Sequence, residues 1–164
     1  MEKFYTVRGY QRLEREKNVL TPSLEDYLEM ICRTLHKHGH IRARELAEEL
    51  NVKPSSVSKM LAKLSELKFI DYEKYGVIRL TEQGEQVGTY LLWRHDVIHH
   101  FFGLLAPSQS DEAFVETELA EHMLSRETVK TMELFLSFLS ENPDIRQQFL
   151  SYRAARENED TLSK

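Results

Sequence analysis

Residues Arg42–Leu80, RARELAEELNVKPSSVSKMLAKLSELKFIDYEKYGVIRL, decide the fold. Ala43, Leu46, Ala47 and Leu50 recur at helical spacing and predict a short helix over Arg42–Leu50, after which Asn51-Val52-Lys53 turns the chain. Pro54 suits a first helical turn, where its missing N–H would have no partner anyway, so a further helix is expected from Pro54 to about Leu67. Its inward face reads Val57, Met60, Leu61 and Leu64. Phe69–Glu73 and Val77–Thr81 are β-prone runs around Lys74-Tyr75-Gly76, the pattern of a small hairpin. With one more helix in front, this is the element order of a winged helix-turn-helix.

That preceding helix is legible in Thr21-Pro22-Ser23, a cap followed by proline, and in Leu24, Tyr27, Leu28, Ile31 and Leu35 at helical spacing. It is expected over residues 22–38, ending near Gly39. Residues 1–20 form an extension with some helical character through Phe4, Tyr5, Tyr10 and Leu13. Downstream, helices are expected at 82–102, at 110–123, at 126–141 capped by Ser125, and at 144–157 behind Asn142-Pro143. The fold class is therefore mainly α: a winged helix-turn-helix over 21–81 with a small β-hairpin wing, then an all-α domain over 82–164. Six glycines and four prolines are too few for the many tight turns of a β-sandwich or barrel.

A chain of 164 residues, 41% apolar and 30% charged, suffices for one ordinary domain or two small ones. The single Cys32 cannot form an internal bridge or supply the several thiolates of a structural zinc site, and reads as a small buried residue. No apolar signal segment is visible, and the longest apolar run, Phe101–Ala106, is too short to span a bilayer, so a cytoplasmic setting with no membrane partner is expected. The net charge of −5 argues against nucleic acid until the chain is split. Residues 1–80 carry 15 Lys+Arg against 12 Asp+Glu, or +3, and residues 81–164 carry 7 against 15, or −8.

The basic half contains the element best suited to DNA. In Pro54-Ser55-Ser56-Val57-Ser58-Lys59-Met60-Leu61-Ala62-Lys63 the first turn is built of slim hydroxyl side chains that can approach base edges and phosphates. Pro54, Ser55, Ser56 and Ser58 form that tip. Lys53, Lys59 and Lys63 supply counterion-releasing charge, with Lys74 and Arg79 on the wing as auxiliary contacts. Serine and lysine tolerate many bases, so a dimer on double-stranded DNA with palindromic half-sites must supply much of the specificity.

The acidic half supplies most of a second constellation. Glu118, Glu121 and His122 stand at i, i+3 and i+4, a spacing that on one helix gathers two carboxylates and an imidazole in one patch. Asp26 and Glu29 are three apart on the first helix, and His95 sits in an apolar helical run. Each group has a plain alternative: solvated acidic faces, Asp26 as a capping-box partner of Ser23, His95 as a core histidine. Taken together, four carboxylates and two imidazoles carry −4, enough to balance two divalent ions. An oxygen-rich set without thiolate suits Mn2+ or Fe2+.

These residues resemble the diphtheria toxin repressor family of metal-dependent transcriptional repressors, and within it the manganese transport regulator branch. The resemblance runs from about Thr21 to Arg146. It is carried by Thr21-Pro22-Ser23-Leu24-Glu25-Asp26-Tyr27-Leu28-Glu29, Pro54 to Met60, Tyr72-Glu73-Lys74-Tyr75, Arg94-His95 and Glu118 to Ser125. It implies that Asp26, Glu29, His95, Glu118, Glu121 and His122 form the metal site, binuclear in this branch. Iron-sensing relatives have Met where Asp26 stands and Cys where Glu118 stands. The wing departs from the pattern, with Tyr75-Gly76-Val77 where similar regulators place an Arg-Gly pair. Phe114 occupies the place of an accessory histidine ligand, and His99 and His100 follow His95 where relatives often have Glu or Gln.

The resemblance thus implies a homodimeric, manganese-responsive repressor of metal uptake genes, not an enzyme. Asp26 and Glu29 on the DNA-binding domain and the other ligands on the second domain would share the metal, which would fix a DNA-binding-competent geometry. An iron-responsive repressor, a dinuclear metal hydrolase and a regulator with an organic ligand are the competing readings. Two bound divalent ions would take the net charge from −5 to about −1.

Overall fold

The computed structural model describes residues 19–72, 76–106 and 112–162, and the chain divides into two compact units, one up to Trp93 and one from Arg94. Most of the N-terminal extension, Lys74 and the expected helix start at 110–111 lie outside the described residues.

The first unit contains α1 (Pro22–His38), α2 (Ala43–Glu49), α3 (Pro54–Glu66), β1 (Ile70–Asp71), β2 (Arg79–Leu80) and the beginning of α4 (Glu82–Leu105). Leu24, Tyr27, Leu28 and Ile31 of α1 are buried with Leu46 and Ala47 of α2 and Val57, Leu61 and Leu64 of α3; Leu35, Ala43, Leu50 and Met60 pack partly buried against them. α1 ends as expected at Gly39, whose φ of +75° lets its N–H reach the Leu35 carbonyl. Its N-cap is Thr21, whose carbonyl accepts from the Leu24 and Glu25 amides. That places Leu24 at the third helical position, so Asp26 is not the capping-box partner of Ser23.

The helix-turn-helix owes its tight turns to two residues with positive φ, Asn51 and Lys68. At the end of α2 the Asn51 amide bonds the Glu48 carbonyl and the Val52 amide that of Ala47; Lys68 and Phe69 repeat this after α3 on Ser65 and Leu64. Both ends are Schellman turns, which satisfy the carbonyls a helix leaves orphaned. The hairpin is shorter than its β-prone runs, pairing only Ile70 with Leu80 and Asp71 with Arg79 in antiparallel register. Thr81 closes it: its hydroxyl donates to the Lys68 carbonyl and accepts from the Gly84 amide, which caps α4.

The second unit holds the remainder of α4, then α5 (Glu112–Ala120), α6 (Arg126–Glu141) and α7 (Pro143–Leu162). α4 runs a turn beyond expectation, and Arg153 of α7 donates to the Leu104 carbonyl near its end. Ser125 caps α6 as expected, accepting from the Thr128 amide. α6 and α7 bury Val129 and Leu139 but leave Leu134, Phe135, Phe138, Ile145, Phe149 and Tyr152 exposed. No helix among the described residues is long and apolar enough to cross a membrane.

Candidate metal centre

In the first unit, α1 carries Asp26 and Glu29 on its N-terminal half. Glu29 is not on a solvated face: it is buried, and its Oε1 accepts from the Arg33 guanidinium one turn on at 2.7 Å. Asp26 is half-buried.

In the second unit, the expected helix over 110–123 stops at Ala120. The Glu121 amide still bonds the Thr117 carbonyl, but Met123 bonds Ala120, so the chain tightens into a turn as it leaves the helix. Glu118 therefore projects from α5, while Glu121 and His122 sit in the turn that follows it. The cluster forms nonetheless. Glu121 is 1% exposed, its Oε2 is 3.0 Å from His95 Nδ1, and its Oε1 is 3.7 Å from His122 Nε2. Glu118, more exposed, stands 3.6 Å from His95 Nδ1. Arg94 donates to His122 Nδ1 at 3.4 Å, which leaves Nε2 turned toward Glu121.

A carboxylate taken fully out of water costs several kcal/mol, on the order of the Born penalty after relaxation, unless charge or hydrogen bonds compensate it. Glu121 meets part of that demand with the hydrogen bond between its Oε2 and His95, while His122 approaches Oε1 at a longer distance. A buried carboxylate with imidazole nitrogens beside it is a donor set that can share a divalent cation. The donors gathered here, carboxylates and imidazoles without sulfur, fit a hard to borderline divalent ion. His95 is thus a buried histidine with acidic partners rather than one packed only against apolar groups.

The described residues expected to meet DNA lie at α3 and on β2. Lys53, Pro54, Ser55, Ser56, Ser58, Lys59 and Lys63 are all exposed along the start and outer face of α3, and Arg79 is exposed on β2. Ser58 spends its hydroxyl on the Pro54 carbonyl, and Lys63 pairs with Glu66 at 3.1 Å, so these two are less available to DNA than Ser55, Ser56 and Lys59. A groove of about 920 Å³ beside α3 is lined by Arg42, Arg44, Pro54, Ser58, Tyr72 and Gly76. Sequence reading passed over Arg42 and Arg44, although their position around Ala43 at the start of α2 was the available signal. Cys32 is buried, as its sequence surroundings suggest, but its convergence with His36 and Glu85 in the first unit was not legible there.

The chain matches two family models, the iron-dependent repressor N-terminal DNA-binding domain over residues 19–78 and the iron-dependent repressor metal-binding and dimerisation domain over residues 81–150. It is 35% identical over 125 residues to the HTH-type transcriptional regulator MntR of Lysinibacillus sphaericus (strain C3-41), covering 76% of this chain and 89% of that one. To the MntR of Bacillus velezensis (strain DSM 23117 / BGSC 10A6 / LMG 26770 / FZB42) it is 30% identical over 138 residues, covering 84% and 96%. Among solved structures it resembles the manganese regulator SloR, with a TM-score of 0.61, 28% identity and coverage of 73% of this chain. The chain spans about half the length of that structure, 55%.

Proposed function

The chain belongs to the iron-dependent repressor family, and from that premise we propose that it is a manganese-responsive transcriptional repressor acting as a homodimer on palindromic operators of metal uptake genes in the cytoplasm. Likeness to the manganese regulator SloR and to two relatives named MntR supports this choice of metal. The observation that carries the metal-responsive reading is Glu121, a fully buried carboxylate whose two oxygens face two different imidazoles.

On this proposal Asp26 and Glu29 of the first unit and His95, Glu118, Glu121 and His122 of the second hold two ions per chain. When bound, the ions supply the positive charge that offsets four carboxylates. The carboxylates, no longer repelling one another, then hold the two units in one arrangement. A symmetric dimer reaches two half-sites only when its recognition helices are about 34 Å apart, one turn of DNA. With the ligands unsatisfied that spacing is sampled only part of the time. DNA must reciprocally tighten metal binding, because the coupling free energy is shared. Ser55, Ser56, Lys59 and Arg79 carry the DNA contacts. The exposed aromatic faces of α6 and α7 fit the dimerisation role.

The test is a DNA-binding titration on fragments the full chain selects from genomic DNA in the presence of manganese. Chelation is expected to abolish binding by the unaltered chain, and His95→Ala to abolish its rescue by manganese. DNA binding by the unaltered chain that chelation leaves undiminished, or rescue by manganese that survives in His95→Ala, would sink the metal switch. Manganese and ferrous iron compared at matched free concentrations decide between the two ions.

A further inference from the structure

We propose that Cys32, His36 and Glu85 form a separate site for one thiophilic divalent cation, with zinc as the best fit. Cys32 and His36 are one turn apart on α1, and Glu85 lies in the first turn of α4, 49 residues beyond His36. His36 Nε2 stands 3.6 Å from Cys32 Sγ and 2.6 Å from Glu85 Oε1, and all three donor atoms lie within 4.8 Å of one another.

A tetrahedral ion with bonds of about 2.3 Å to sulfur and about 2.0 Å to nitrogen and oxygen sets donor-to-donor edges of roughly 3.3–3.5 Å. The sulfur–nitrogen edge already has nearly that length. The nitrogen–oxygen contact must open by somewhat less than ~1 Å to reach it. It has room to do so, because the His36 and Glu85 side chains are 46% and 50% exposed. The sulfur, by contrast, is fixed. Cys32 is fully buried, and a Cβ added to Gly88 of α4 would come within 2.9 Å of Sγ, so the two helices touch at this point. One rigid soft donor and two adjustable donors at a solvent-facing mouth leave the fourth position of a tetrahedron to water.

The donor chemistry separates this site from the oxygen-rich one. A thiolate selects zinc over manganese, which prefers carboxylate and water. In the metal-free chain the thiol keeps its proton: burial pushes it up to about 11, Glu85 and Glu29 add to the rise, and a hydrogen bond from Thr89 opposes it. Binding therefore exchanges one thiol proton, released to solvent, for one sulfur–metal bond, with no change of oxidation state. The ion would join α1, which carries Glu29 about one turn and Asp26 nearly two turns earlier, to the start of α4.

Cobalt(II) is the probe, because a thiolate ligand gives it a near-ultraviolet charge-transfer band and this chain has a single cysteine. Up to three equivalents added to the full chain, two for the oxygen-rich centre and one for this site, are expected to produce the band, zinc to abolish it, and the His95→Ala/Glu118→Ala double variant to keep it. Cys32→Ser should lose it. At the exposed positions, His36→Ala and Glu85→Gln should each weaken cobalt binding about tenfold or more with far-ultraviolet circular dichroism unchanged. Absence of the band in the unaltered chain, its survival in Cys32→Ser, or unchanged affinity in both exposed variants overturns the proposal, leaving an inert buried thiol beside a surface His–Glu pair.

Discussion

Leu28, Leu46, Leu61 and Ile78 in the first unit have no exposed surface, whereas Leu134, Phe135, Phe138 and Tyr152 in the second are between 44% and 69% exposed. The first unit closes its own core over three helices and a hairpin, and its polar outer face is free to meet DNA. The second unit spends part of its apolar surface on its own packing and holds the remainder outward, on α6 and α7. Burial that is complete within one chain stabilises the fold. Apolar surface left over in this way stabilises the fold only through another surface, which here fits a second copy.

The sharpest way to break this contrast is to truncate one side chain in each unit. Leu61→Ala is expected to lower the free energy of unfolding by about 2–5 kcal/mol, as large-to-small changes in closed cores do. Phe138→Ala at concentrations below dimerisation should cost less than about 1 kcal/mol, the range of surface substitutions with modest burial. Urea titrations of both variants check the pair, and equal losses would dissolve the distinction. A second experiment tests what covers the exposed face: Phe135→Glu with Phe138→Glu should shift sedimentation from dimer to monomer while helical content is retained. A dimer that persists would assign association to another surface.

Within the second unit, the buried and exposed carboxylates offer a finer comparison. Glu121→Gln is expected to weaken manganese binding by about ten- to a hundredfold, and Glu118→Gln by less, read by calorimetric titration. The reverse order would contradict a centre organised around Glu121. Smallest is the cap: Ser125→Ala should cost about 1 kcal/mol of stability, the usual loss for an N-cap hydroxyl, with manganese affinity almost unchanged.

Much of this architecture was legible in the residues because its signals are local. Proline in the first turn, Gly39 after the last and a regular apolar spacing bound α1, and Ser125 marks the start of α6. The six candidate ligands were likewise visible as residue types at telling intervals. The end of α5 was not, because nothing between Ala120 and Met123 is a helix breaker; the chain leaves the helix through a tightened turn. The thiol cluster escaped for a different reason. Cys32 and His36 have a readable four-residue spacing, but Glu85 reaches them only because Gly88 lets α4 come close to α1. Lys63 had the right charge and face, but its pairing with Glu66 depends on side-chain conformation.

The contact between Arg33 and Glu29 gives the proposed sensor an adjustable threshold. The guanidinium holds one oxygen of Glu29, so a metal ion that needs that oxygen must displace Arg33, which makes Arg33 a resident competitor on the same helix. Its side chain is 42% exposed, and a helical pair of this spacing is worth about 0.3–0.5 kcal/mol. Such a competitor raises the metal concentration needed for half-response by roughly twofold. It tunes the point at which the cell's manganese is judged sufficient without altering which ion is recognised.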